Sequence, residues 1–394
     1  MRILFVIFLC FMLSLGAEDV CFITLHSNAS LHFAKLAQVL TREKISWQVM
    51  AGEASEAALK EAKVAHHKIS VWTNKKSMKE LSPKEREAIA KLVVKTCKKA
   101  KVVVTDISEG LMVDIHKELA SISSARRFVY YDNPEGYVPG EYSLYFEEVL
   151  RTEPQGVVFA NKHLKEEDVY GGHKQKMSLD SFQKVGLGLM LMDDAEKMLS
   201  LSHTKQLIRQ DLFEKLGIKD EKQKLLVYLG GCNTLYFYQA FPFFLRSIEE
   251  NIGHSFFENA LLLLQQHPRA KQEGSIDLYE LLARGFPFQV FLSPIPTLEM
   301  LSCADLVYYY QSSLIPKIAL AKKPLVQVTP EPLEDMTTRL RLVDSVLDPK
   351  DFVPYSLKAL STTYEQQSLK RLQEALGYDE KWETHFIDFV RSLF

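Results

Sequence analysis

The sequence predicts an α/β protein of two Rossmann-like, doubly wound domains facing a cleft. Three observations predict it. Short apolar runs recur along the chain, each followed by a segment whose apolar residues have helical spacing, the pattern of parallel strands joined by crossover helices. The series occurs twice, on either side of a Met- and Leu-rich segment at 174–204. Almost every run ends in polar residues, where open parallel sheets bind their ligands. A length of 394 residues suits two domains, and 47% hydrophobic with 25% charged residues gives each a core.

The elements follow in order. Met1-Arg2, the apolar run ILFVIFLCFMLSL and the small residues around Gly16-Ala17 predict a signal peptide over 1–17, cleaved on export to a periplasm or the exterior. An uncleaved membrane anchor is the alternative, although the run is short of the roughly twenty residues that span a bilayer. A first domain is expected over 18–173. It opens with the strand VCFITL at 20–25, a helix from about Ser30 to Glu43 and the strand SWQVM. Ser82, Pro83 and Glu85 spell a capping box with proline at the first helical position, and Ala88, Ile89, Leu92, Val93 and Cys97 share one face of the helix they start. VVVTD, RFVYYDN and GVVFAN are further strands, the last two separated by a helix around Leu144–Leu150. Residues 174–204 are expected to be a helical connector. A second domain over 205–370 begins with a helix stopped by Gly217 and continues through KLLVYLGG, NALLLLQQHP, FQVFLS, DLVYYY and PLVQVTP. An amphipathic helix closes the chain within 371–394.

Composition excludes several function classes. The net charge is −2, and the Lys98-Lys99 and Lys322-Lys323 pairs are short solvated runs, so no nucleic-acid partner is expected. Cys21, Cys97, Cys232 and Cys303 make no C-x-x-C; they are expected as small buried residues, with one disulfide open to them in an oxidising compartment. His66-His67 has no third ligand at metal spacing, and no P-loop or G-x-S-x-G elbow occurs. No metal and no cofactor is called for. The expected partner is a small molecule: a nucleotide sugar, a sugar or a phosphate-bearing compound. Peripheral membrane contact and oligomeric state stay open.

Candidate site residues stand at the strand ends. His26 and Asp106 form a general-base pair if their strands are neighbours, against the plainer reading of a structural histidine. Asp132, Asn133 and Tyr137, in the loop YYDNPEGYVPGEYS, suit the hydroxyls and faces of a sugar; a packed Ω-loop is the alternative. Gly230-Gly231 lets backbone approach a ligand, or makes a tight turn. His267 and Arg269 suit a phosphate or carboxylate, or a surface turn. Ser312-Ser313 offers hydroxyls and helix amides to an anion, or caps a helix.

LLVYLGGCN, LLLLQQHPR, TLEMLSCADLVYYYQSS and IALAKKPLVQV, in this order over about 205–330, resemble the donor-binding domain of GT-B-fold glycosyltransferases and the related UDP-GlcNAc 2-epimerases. The resemblance implies that His267, Ser312 and Ser313 lie near a donor diphosphate, with Gly230 and Gly231 in a cleft-facing loop. It also implies that Trp382–Phe394 is the helix returning to the first domain. Many of those enzymes place a ribose-binding Glu about seven residues before the proline of the last strand; Lys317 stands there, and Lys322 stands where Gly is common. An ammonium cannot accept hydrogen bonds from a vicinal diol. The function expected is therefore a GT-B-like transferase acting on a glycan or cell-envelope polymer, or an exported, non-catalytic two-lobed binder of a sugar or small anion.

Overall fold

A computed structural model describes residues 19–394 other than 74–79, 109, 123, 136–140, 171–176, 220–222, 232–235 and 266–283. The chain divides into two compact units, one of residues 1–190 and 376–394, the other of 191–375.

Unit 1 runs β1 (Val20–Thr24), α1 (Ser27–Arg42), β2 (Trp47–Ala51), α2 (Glu53–Glu61), β3 (His67–Lys68), α3 (Pro83–Cys97), β4 (Val102–Thr105), α4 (Gly110–Ile122), β5 (Arg126–Tyr131), α5 (Glu141–Leu150), β6 (Gly156–Phe159), α6 (Glu166–Tyr170) and β7 (Gln183–Gly186). Its sheet has the order β3-β2-β1-β4-β5-β6-β7, and each neighbouring pair is parallel. Strands buried on both faces need continuous apolar sequence, and β1, β4 and β6 are buried throughout. α3 starts as the sequence predicts: Ser82 Oγ accepts from the Glu85 amide, and Glu85 accepts from the Ser82 amide at 2.8 Å. Cys21 in β1 and Cys97 at the end of α3 are joined as a disulfide, their Cα atoms 6.0 Å apart.

Unit 2 runs α7 (Asp193–Ser202), α8 (Lys205–Leu216), β8 (Lys224–Leu229), a π-helical turn at Tyr236–Ala240, α9 (Phe241–Glu249), β9 (Ala260–Gln265), β10 (Gln289–Leu292), α10 (Thr297–Cys303), β11 (Leu306–Tyr309), α11 (Ile315–Leu320), β12 (Leu325–Val328), α12 (Met336–Arg339), β13 (Asp344–Val346), α13 (Phe352–Ser361) and α14 (Gln366–Ala375). Its parallel sheet has the order β10-β9-β8-β11-β12-β13. The core over one face is aromatic: Tyr228 stacks on Phe244, Phe244 meets Tyr308 at a tilt, and Tyr308 and Phe257 both stack on Phe352. The last helix, α15 (Trp382–Arg391), belongs to unit 1, where Phe389 sits edge-on to Phe128 at 4.9 Å.

The expected doubly wound α/β class is what the two sheets show. The 174–204 segment differs from the helical connector expected. Gln183–Gly186 pairs with β6 as an edge strand, and helix begins only at Asp193. Gly186 pairs with Phe159 at the end of this strand, and a Cβ there would stand 2.6 Å from the Cα of Lys162 in the turn after β6, so only glycine fits. The units also divide at 190/191 and 375/376, so α14 stays in unit 2 rather than in a terminal segment from 371. The predicted signal peptide lies outside the described residues.

Candidate functional site

In both sheets the strand order reverses once, between β1 and β4 in unit 1 and between β8 and β11 in unit 2. Loops leaving the carboxyl ends there diverge to opposite faces and open a crevice, the place where such sheets bind ligands.

In unit 1 the register pairs Ile23 with Thr105, which sets the segment Thr24–His26 against Asp106. Asp106 is 1% exposed and takes four hydrogen bonds. Its Oδ2 accepts from Thr24 Oγ1 at 2.9 Å and from the amides of Leu25 and His26 at 2.8 Å; its Oδ1 accepts from Ser108 Oγ at 2.8 Å. Burial pushes its carboxyl above the ordinary range, and the Ser108 hydroxyl, the nearby His26 and the Leu25 and His26 amides offset only part of this. With four donors around it, Asp106 holds the loop that carries His26. His26 itself is the N-cap of α1 in extended backbone, its imidazole making no capping bond.

Farther along the same edge, Asn28 Nδ2 donates to Asp132 Oδ2 at 2.8 Å. One turn on, His32 Nδ1 and the Tyr130 hydroxyl are 2.6 Å apart, so α1 is tied at two points to the end of β5. Asn133 Oδ1 accepts from the Glu135 amide, and Asn161 binds Pro134 O and the His163 amide. The structure thus gathers His26, Asp106, Asp132 and Asn133 at one sheet edge; Tyr137 lies outside the described residues. Below the edge, His116 shares a hydrogen bond with Thr105 Oγ1, and its Nδ1 is buried without a partner.

Unit 2 places Gly230 and Gly231 directly after β8. A Cβ on Gly231 would meet the Tyr236 ring at 2.8 Å, and one on Gly230 would meet Gln265 O and the Tyr236 hydroxyl at 3.0 Å. The glycines are thus required by packing under Tyr236, whatever else they do. Ser312 Oγ accepts from the Leu314 amide at 3.2 Å, and Ser313 is exposed, ahead of an α11 only six residues long. Lys317 Nζ is 2.6 Å from Asp194 Oδ2, the two side chains 14% and 29% exposed, so its ammonium ties α11 to α7. His267 and Arg269 lie outside the described residues. At the opposite, amino edge Lys323 is buried and donates to Ser302 O, and burial together with nearby Lys205 brings its ammonium down to about 8.

Sequence reasoning missed Asp194, since nothing local marks a partner 123 residues from Lys317. It missed Asp335, which accepts from Tyr309 and caps α12. An Asp three residues before a Thr was the available signal.

Both sheets share one arrangement, the doubly wound order twice over with a terminal helix back on the first unit. Solved structures share it across most of the chain. A glycosyltransferase from Rickettsia africae superposes with a TM-score of 0.56 at 12% identity, over 96% of this chain and 99% of that one. The UDP-GlcNAc 2-epimerase of Methanocaldococcus jannaschii gives 0.60 at 11%, over 95% and 99%. The Neisseria meningitidis UDP-GlcNAc 2-epimerase, solved bound to UDP-GlcNAc, gives 0.58 at 10%, over 95% and 99%. The fold is GT-B-like. No protein-family model and no curated protein matches the sequence. At these identities the likeness carries the GT-B-like fold and leaves substrate and residue roles to the site itself.

Proposed function

We propose that the chain is an exported GT-B-like glycosyltransferase that passes a sugar from a phosphate-linked donor to a hydroxyl of a glycan or cell-envelope polymer. The observation that carries this reading is the switch point of unit 1. There an imidazole stands at a helix start, its loop fixed from below by a fully buried carboxylate through two amides and a hydroxyl. Such an imidazole takes the acceptor's proton as its oxygen bonds the sugar's anomeric carbon; the carbon–oxygen bond to the donor phosphate breaks and its electron pair leaves with the phosphate. Asp106 acts through the backbone, holding the Leu25 and His26 amides so that the loop presents the His26 side chain. Asp132, Asn133 and Tyr137 are assigned to the acceptor, and Ser312, Ser313, His267 and Arg269 to the donor phosphates, with Gly230 and Gly231 beside them. The structural neighbours support a nucleotide-sugar-like ligand, since one was solved with UDP-GlcNAc. Export rests on the apolar run at the N-terminus.

The second reading, a non-catalytic exported binder of a sugar or small anion, is favoured by one observation: Lys317 is spent on Asp194.

A melting-temperature screen of the mature chain against UDP-, CDP- and CMP-sugars and free sugars separates the two. A ligand at 100 times its Kd adds about 2.7 kcal/mol of stability. A shift with a nucleotide sugar, unchanged in His26→Gln while that variant loses transfer, supports the transferase. Shifts with free sugars alone support the binder, and silence across the panel removes both.

A further inference from the structure

We propose that the Cys21–Cys97 disulfide of unit 1 is acquired in a thiol-oxidising compartment and that its closed ring steadies the loop that carries His26. Both cysteines are fully buried in one apolar cluster with Ile23, Leu25, Ile89, Val93 and Val103, their Cα atoms 6.0 Å apart and 76 residues apart in sequence. Each lies just upstream of the switch point. Cys21 is in β1, which ends at Thr24 and hands His26 to the loop; Cys97 ends α3, and the chain then enters β4 and reaches Asp106. The bond therefore staples together the two paths that meet at Asp106, a constraint the four hydrogen bonds of that carboxylate extend to the loop.

The remaining described cysteine is unsuited to exchange. Cys303 in unit 2 is buried, and burial pushes its thiol up to about 11, so it stays protonated. Cytosolic thiols are held reduced, whereas exported domains receive disulfides from dithiol oxidoreductases. One cysteine thiolate attacks the oxidoreductase disulfide and the second resolves the mixed disulfide. The oxidoreductase leaves as a dithiol with the two electrons, and the cysteines give up two protons. Because neither sulfur is exposed in the folded unit, closure belongs to the folding stage, and the finished bond is shielded from small reductants.

The test uses the full chain expressed through the secretory route. It is denatured, alkylated with iodoacetamide before or after reduction, and mapped by peptide mass. Protection of Cys21 and Cys97 until reduction, with Cys303 labelled throughout, is the expected result; labelling of both without reduction, or a link to Cys232, overturns the proposal. In Cys97→Ala the melting transition of unit 1 falls by roughly 10 °C, from the ring closure lost, while that of unit 2 holds. Amide exchange at Leu25 and His26 rises at least tenfold in the same variant. Exchange there that stays at the parent's rate, in a folded variant, removes the steadying role.

Discussion

At the scale of single residues, burial decides more than residue type does. His116 is fully buried, its imidazole held down to about 3 by desolvation, with Arg127 adding to the effect. Its folded value lies below the ordinary 6.5, so unfolding takes up a proton between these two values. Its contribution to stability is complete above pH 6.5 and is lost as pH falls towards 3, with a ceiling of about 5 kcal/mol. Chemical denaturation of unit 1 from pH 7 to 4 is expected to show this loss, and His116→Gln to flatten the slope; equal slopes would assign the acid sensitivity elsewhere. Lys317 is the opposite case. Its pair with Asp194 at 2.6 Å is mostly shielded, so the cycle Lys317→Ala, Asp194→Ala and both together is expected to give a coupling of about 1–2 kcal/mol in urea unfolding. A coupling near zero would leave the Lys317 ammonium able to serve a ligand. The Ser82–Glu85 cap was legible in the sequence because it spans only four consecutive residues. The Lys317–Asp194 pair was not, because only the folded chain joins α11 to α7.

At the scale of elements, two glycines with the same backbone angle separate conformation from packing. Gly217 ends α8 and Gly377 precedes α15, each at φ +69. A Cβ on Gly217 would meet nothing within 4 Å, whereas on Gly377 it would stand 1.9 Å from Asn161 Oδ1 and 2.7 Å from the Lys162 amide. Gly217→Ala is expected to cost about 1 kcal/mol, the left-handed backbone alone, and Gly377→Ala several times as much because the end of β6 must also move. Similar losses by denaturant unfolding would mean that Asn161 yields easily. Gly217 as a helix stop could be read from sequence because a C-cap is local. The two-residue β3 and three-residue β13 could not, since strands that short carry no period. β7 was taken for helix because its few residues stand in a Met- and Leu-rich run whose composition outweighed them. Of the candidate site, the strand-end residues of unit 1 were visible as polar breaks after apolar runs. The amides of Leu25 and His26, which hold Asp106, have no sequence signature at all.

For the whole molecule, the chain crosses from unit 1 to unit 2 and then returns, and the return can be tested by cutting it. α15 buries Phe386, Ile387, Phe389 and Val390 in unit 1 and brings Arg391 to 2.7 Å from Glu43 and Glu383 to 2.7 Å from Arg42. The exposed ion pairs are worth a few tenths of a kcal/mol each. The four apolar side chains, at about 1.5–3 kcal/mol apiece, dominate and together rival the full stability of an ordinary domain. A chain ending at Ala375 is therefore expected to lose the cooperative unfolding of unit 1 and to keep that of unit 2, whose residues run from Leu191 to Ala375 without a contribution from the tail. Calorimetry gives the first reading and amide exchange assigns it, with protection lost in β1, β4 and β5 and retained in β8 and β11. If the switch-point loop at His26 loses protection with them, the proposed catalytic arrangement depends on the last nineteen residues, 376–394, none of which touches it in sequence. Loss of both transitions at once would instead make the two units a single cooperative body, and their separate cores would have to be reconsidered.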